Sequence, residues 1–228
     1  MTSLPRKRVW MAVAILSGFA ALTACQMASA KAAPFPDPSV DDSVAAQSGR
    51  QAAVVAGGCF WGTQLVFEHV KGVMKVTAGY SGGAAQTAQY ETVSTGRTGH
   101  AESIRIEYDP SQVTYGQLLK VFFSVAHNPT ELNYQGPDEG TQYRSVIFYA
   151  NPDQQRIAEA YVNQLNAARA YSHKIVTQIV PLQAFYPAEA YHQDYAVHNP
   201  LNPYIEVNDL PKLGQLRKRL PDLYADKR

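Results

Sequence analysis

The hydrophobic pattern divides the chain into an apolar leader, a polar stretch and a long region of alternating short elements. Val9 to Leu22 is an unbroken apolar run of 14 residues behind Arg6-Lys7-Arg8. That is short for a membrane span and suits the central region of an export signal. Residues 31–51 carry Pro34, Pro36 and Pro38 with Ala, Ser and Asp, show no apolar period, and read as a flexible tether. Beyond them, the apolar run Ala52–Ala56 predicts a strand, Gly57-Gly58 a turn, and residues 63–70 a helix. Residues 72–80 predict a second strand. In 101–108, Ile104, Ile106 and Tyr108 alternate with Ser103, Arg105 and Glu107, the period of a half-buried strand. Residues 114–126 place Leu118, Leu119, Phe122 and Phe123 on one helical face. Residues 144–149 and 174–180 predict further strands. Asn151-Pro152 opens a helix to about Ala170, and residues 213–220 a short basic one. Residues 127–143 form a polar loop of a length uncommon without a function. This mixed order predicts an α+β fold, an α/β sandwich around a mixed sheet. Its divisions are a signal segment 1–24, a tether 25–50 and one domain 51–228.

Composition narrows the possibilities. A chain of 228 residues with 46% hydrophobic side chains can bury one sizeable core. The net charge is +1, but without the three basic residues of the leader, 17 basic residues face 19 acidic ones, about −2. No basic footprint for nucleic acid remains. The two cysteines, Cys25 and Cys59, exclude a disulfide scaffold. Leu22-Thr23-Ala24-Cys25 matches a bacterial lipobox, which makes Cys25 a lipid-anchor candidate. The competing reading is plain secretion, cleaved after Ala28-Ser29-Ala30.

Cys59 is then the only free thiol of the exported chain. Free cysteines are more often buried structural residues, but this one follows Gly57-Gly58, opens a helix and precedes Phe60-Trp61. Unpaired helix N–H groups and the positive dipole end are expected to favour its thiolate. Glu102 stands at a strand mouth, where an apolar pocket would raise its pKa and make it a proton donor; a solvated strand-end acid weighs equally at this point. Tyr90 and Tyr143 are candidate hydroxyl donors among 14 tyrosines. His100, His127, His192 or His198 could pair with the thiol in a hydrolase or acyltransferase. A third reading is a lipoprotein that binds partners without catalysis. No His-Glu-x-x-His metal motif or nucleotide loop occurs, so no metal is expected.

The chain resembles the A-type peptide methionine sulfoxide reductases over residues 53–204. The resemblance rests on Gly58-Cys59-Phe60-Trp61-Gly62, Gly79-Tyr80-Ser81-Gly82-Gly83, Tyr90-Glu91-Thr92-Val93 and Thr98-Gly99-His100-Ala101-Glu102. It continues with Tyr108-Asp109-Pro110, Gly140-Thr141-Gln142-Tyr143-Arg144-Ser145 and Tyr191-His192-Gln193-Asp194-Tyr195. It implies a two-layer, ferredoxin-like mixed sheet with flanking helices and long loops. It also implies reduction of methionine-S-sulfoxide, free or in proteins. Cys59 would be nucleophile, Glu102 proton donor, Tyr90 and Tyr143 holders of the sulfoxide oxygen, and Phe60 and Trp61 the wall around the methyl group. Asp138 would serve substrate placement and the later reductant step. Many members place resolving cysteines where this chain has Ser94 and Ile205. A sulfenic acid on Cys59 would therefore be resolved by an external thiol, from a thioredoxin-like reductase or a small molecule. No other cofactor is expected, and the protein is expected to be an exported monomer of a bacterial envelope, touching membrane only through its anchor.

Overall fold

The computed structural model describes Thr2, residues 35–42 and residues 49–226. The signal segment, the lipobox with Cys25 and most of the expected tether lie outside them. In chain order the elements are β1 (Gln51–Ala56), α1 (Phe60–Glu68), β2 (Val73–Ser81), α2 (Tyr90–Val93), β3 (Ala101–Tyr108) and α3 (Tyr115–Val121). There follow β4 (Tyr134–Gln135), β5 (Asp138–Glu139), β6 (Val146–Tyr149), α4 (Pro152–Ala167), β7 (Gln178–Pro181), β8 (Phe185–Pro187), α5 (Tyr195–His198) and α6 (Leu210–Arg219).

Six strands form one sheet in the order β7-β6-β1-β3-β2-β8. Its centre, β6-β1-β3-β2, is wholly antiparallel. With α1 between β1 and β2 and α3 between β3 and β6, it is the split βαβ arrangement expected of a ferredoxin-like sandwich. The two edges differ. β7 adds parallel to β6 through α4, which makes the sheet mixed, and β8 adds antiparallel to β2. β4 and β5 form a separate small ribbon inside the long polar loop.

Local chemistry explains the main boundaries. Thr114 closes a capping box with Gln117 at the start of α3, and Asn151 accepts the Gln154 N–H at the start of α4. The expected helix over 114–126 holds in two parts, because the last five residues, Phe122–Ala126, widen into a π-helical turn. Helix α1 begins at Phe60, three residues earlier than the pattern suggested, which makes Cys59 its N-cap. Strand β7 begins later than expected, at Gln178, and the short β8 had no apolar run to announce it.

One face of the sheet carries the main core. Val55, Ala78, Ile104 and Ile106 meet Val66 and Phe67 of α1 and Leu118 and Leu119 of α3, all buried. A smaller cluster of Val54, Ala56, Val146 and Phe148 lies on the other face. Burying a side chain of this size contributes roughly 1.5–3 kcal/mol, so the two faces fix strand register firmly. Register then sets chemistry. Val55 pairs with Ile104, so the end of β1, which leads to Cys59, lies beside the start of β3, which carries Glu102.

The composition of residues 35–42 predicted free tether, and the structure corrects this. The Tyr161 hydroxyl donates to the Pro36 carbonyl at 2.7 Å, the Asp41 carboxylate accepts the Gly116 N–H at 2.8 Å, and Phe35 packs edge-on against Tyr171. Polar partners supplied by α3 and α4 hold a segment that has no apolar period of its own.

Candidate active site

β1 ends at Ala56 and the chain turns through Gly57-Gly58 to place Cys59 at the head of α1. Gly58 has φ +82°, and a Cβ there would stand 2.5 Å from the Gln135 side chain. Only glycine makes this turn so close to the neighbouring loop. The Gly58 N–H donates to the Tyr143 carbonyl at 3.2 Å, which ties the turn to the loop bearing the second phenol.

Seven residues named from the sequence come together. Cys59, Phe60 and Trp61 line a cavity of about 190 Å³ with Tyr90, Glu102, Asp138 and Tyr143; Tyr204 completes it. Cys59 is 8% exposed and Glu102 2%. The long loop earns its length by carrying Asp138 and Tyr143 into this cavity.

Glu102 has the character expected of a donor. Burial pushes its carboxyl up to about 8, partly offset by the Phe60 N–H, which donates to Oε2 at 3.1 Å, with the Asp138 charge pushing further upward. At neutral pH it is mostly protonated. The expectation for Cys59 is reversed. Burial drives the thiol well above its ordinary range, and Glu102, Asp209 and Asp138 push the same way, outweighing the backbone hydrogen bond from Trp61. The positive helix end is present, yet burial, with Asp209 and Asp138 pushing the same way, overcomes it. At rest Cys59 is a thiol.

The aromatic wall is built from residues far along the chain. The Trp61 indole stacks on Tyr195 at 3.9 Å and 14°, meets Tyr204 edge-on at 6.1 Å, and donates through Nε1 to His192 Nδ1 at 3.1 Å. The His192 ring also packs against Phe60 and Tyr90. Tyr204 in turn donates to the Asp138 carboxylate, and burial raises that carboxyl. Sequence reading missed Tyr204 and Tyr195 and weighed His192 only as a base. The signal available was the aromatic density of residues 191–204, without a partner to give it meaning.

None of the four candidate imidazoles faces the thiol from within the cavity, and His198 lines a separate groove with Leu65 and Leu213. His192 serves Trp61. His127 lies between the Phe122 carbonyl and the Ser145 hydroxyl, and His100 between the Gly83 N–H and the Ala84 carbonyl. No histidine lines the cavity. Among the described residues no group of three or more His, Cys, Asp or Glu could hold a metal ion.

A reactive cysteine, a neutral buried carboxyl and phenols around an aromatic wall, set at the strand ends of an α+β sandwich, define a thiol-based oxidoreductase. The model of the peptide methionine sulfoxide reductase family matches residues 51–223, and the chain belongs to that family. A relative from Mesorhizobium japonicum, "Peptide methionine sulfoxide reductase MsrA 2", is 60% identical over 182 residues, covering 80% of this chain and 93% of that protein. A relative of the same name from Synechocystis sp. is 52% identical over 190 residues, covering 82% and 89%. Among solved structures, methionine sulfoxide reductase A of Corynebacterium diphtheriae superposes with TM-score 0.60 at 36% identity, covering 74% of this chain and 84% of that one. Reduced Mxr1 of Saccharomyces cerevisiae superposes with TM-score 0.62 at 33% identity, covering 67% and 87%.

Proposed function

We propose that this enzyme reduces methionine-S-sulfoxide, free or in oxidised proteins, through a one-cysteine cycle on Cys59. The observation that carries this reading is the single cavity shared by Cys59, Glu102, Tyr90, Tyr143, Asp138, Phe60 and Trp61. The methyl group of the sulfoxide packs against Phe60 and Trp61, and its oxygen faces Glu102 and the two phenols. A sulfoxide oxygen gains proton affinity as its sulfur is attacked, so these donors stabilise the transition state more than the bound substrate. Glu102 transfers its proton to that oxygen, and its carboxylate then takes the proton of Cys59 as the sulfur atoms meet. This order reconciles a resting thiol with a nucleophile, because the base appears only once substrate has taken the acid's proton.

The first half-reaction balances as Cys59 thiol plus sulfoxide giving Cys59 sulfenic acid plus methionine. An external thiol then attacks the sulfenic sulfur, forming a mixed disulfide and water. A second thiol equivalent releases Cys59 and a disulfide. The positions of Ser94, which caps the end of α2, and of the fully buried Ile205 hold no cysteine and offer no thiol. A thioredoxin-like protein or a small thiol supplies the electrons.

The leader supports export to the bacterial envelope, with Cys25 acylated and the enzyme a monomer on a lipid anchor. Mass spectrometry of the mature N-terminus tests this: an acylated Cys25 is expected, and an unmodified Lys31 start overturns the anchor. For the activity, the enzyme is incubated with a methionine sulfoxide peptide and dithiothreitol. Methionine should form with wild type and not with Cys59→Ser. Without reductant, one turnover should leave Cys59 as a sulfenic acid trappable by a cyclic 1,3-diketone. Turnover by Cys59→Ser would sink the reading.

A further inference from the structure

Asp209 is fully buried and the mechanism above does not use it. It ends a π-helical turn, Ile205–Asp209, and is N-cap to α6. Such turns are rare and recur at functional sites. Its Oδ1 pairs with Lys212 Nζ at 3.1 Å, while Oδ2 is buried without a hydrogen-bond partner among the described residues. An orphaned buried carboxylate oxygen is costly and calls for an explanation.

The pair is built into the nucleophile's helix. A Cβ on Gly62 would lie 1.9 Å from Asp209 Oδ1 and 2.9 Å from Lys212 Nζ. Gly62 sits in the first turn of α1, three residues after Cys59. Its missing side chain is the space the charge pair fills.

We propose that Asp209 and Lys212 are positioning residues for Cys59: a charge pair with a fully buried carboxylate, locked against the first turn of α1, that restrains the lone thiol until substrate arrives. The inference rests on Cys59 being the nucleophile. Around the thiol, Glu102 comes from β3, Asp138 from β5, and Asp209 with Lys212 from the C-terminal segment, with Tyr90, Tyr143 and Tyr204 completing the ionisable groups. Asp209 adds to the burial that keeps Cys59 protonated, and Lys212 tempers Asp209. The restraint has a purpose in a chain without a resolving cysteine. Hydroperoxides oxidise thiolates, thiolate plus peroxide giving sulfenate plus water, and further oxidation is irreversible. A thiol kept neutral is spared that attack, while the sulfoxide, which brings its own proton demand, escapes the restraint.

The test is the rate of Cys59 alkylation by iodoacetamide between pH 6 and 10, on the full mature chain, with folding checked by circular dichroism. It reads the thiol directly and does not depend on sulfoxide turnover. Asp209→Asn should lower the alkylation midpoint by about one pH unit and speed alkylation roughly tenfold at pH 7.5, since each unit is a tenfold change in thiolate. Inactivation by hydrogen peroxide should accelerate in parallel. Lys212→Met, which leaves the carboxylate uncompensated, should move the midpoint upward. Alkylation of Asp209→Asn at or below the wild-type rate overturns the proposal. If that variant does not fold, Lys212→Met decides, and an unchanged or lowered midpoint overturns it.

Discussion

Two acids of the same cavity do opposite work at neutral pH because burial falls on both. Glu102, raised to about 8 from an ordinary 4.5, holds its proton, and Cys59 holds its own. A carboxyl with a raised folded pKa stabilises the fold fully below its unfolded pKa and loses that contribution as pH climbs through the folded value. The melting temperature of wild type should therefore fall between about pH 4.5 and 8, and Glu102→Gln should flatten that slope. The single-turnover reduction rate should likewise fall above pH 8, as the donor form disappears. Glu102→Gln should slow that step by about 10²–10⁴-fold, the usual contribution of a positioned acid. Rapid single turnover by Glu102→Gln removes the assigned donor. Cys59 and Glu102 were both legible from neighbours in sequence: a glycine turn with a helix start, and a strand mouth. The protonation state of Cys59 was not. Asp209 stands 150 residues further on, and no local pattern reports a charge delivered from there. Tyr204, Tyr195 and His192 were hidden for the same reason.

At the scale of elements, apolar runs together with the alternation of β3 located each strand and helix of the split βαβ centre, because both faces of the central strands are covered. What it placed poorly were ends and edges. Helix α1 starts at Phe60 because two glycines and Cys59 make the turn, and β8 is a three-residue edge strand with no apolar period to read. The β1–α1 junction is the most demanding of these connections. Gly58→Ala would force a Cβ into the left-handed region at φ +82° and against Gln135, whose side chain itself pins Asn128 at both its N–H and its carbonyl. Strain of this kind costs about 1–3 kcal/mol. A melt shift of about 2–4 °C per kcal/mol is expected for a domain of this size. The same displacement moves Cys59, so turnover should fall further than stability does. A Gly58→Ala variant with wild-type melting and wild-type kcat/KM would show that the turn carries neither burden.

For the whole molecule, the segment before β1 lies outside the residues that the family model matches, which begin at residue 51. Residues 35–42 run along α3 and α4, away from the residues that line the catalytic cavity. Asp41 accepts from the Thr114 hydroxyl and the Gly116 N–H at the start of α3, adding a carboxylate where the helix dipole favours one. Gln164 donates to the Asp37 carbonyl and accepts the Ser39 N–H. The Lys120–Asp37 ion pair adds little, because Asp37 is 79% exposed and water screens it. Five hydrogen bonds to α3 and α4, with Phe35 packed on Tyr171, tie this segment to the two helices. A chain starting at Gly49 should therefore melt at a lower temperature while retaining its kcat/KM for a sulfoxide peptide below the transition. Asp41→Ala alone should account for about 1 kcal/mol of that loss, the usual value of a helix-start acceptor. If the shortened chain melts with the full one, the contacts of residues 35–42 carry no net stability. If instead it melts normally but loses kcat/KM, the segment acts on the site, which the geometry of α3 and α4 gives no reason to expect.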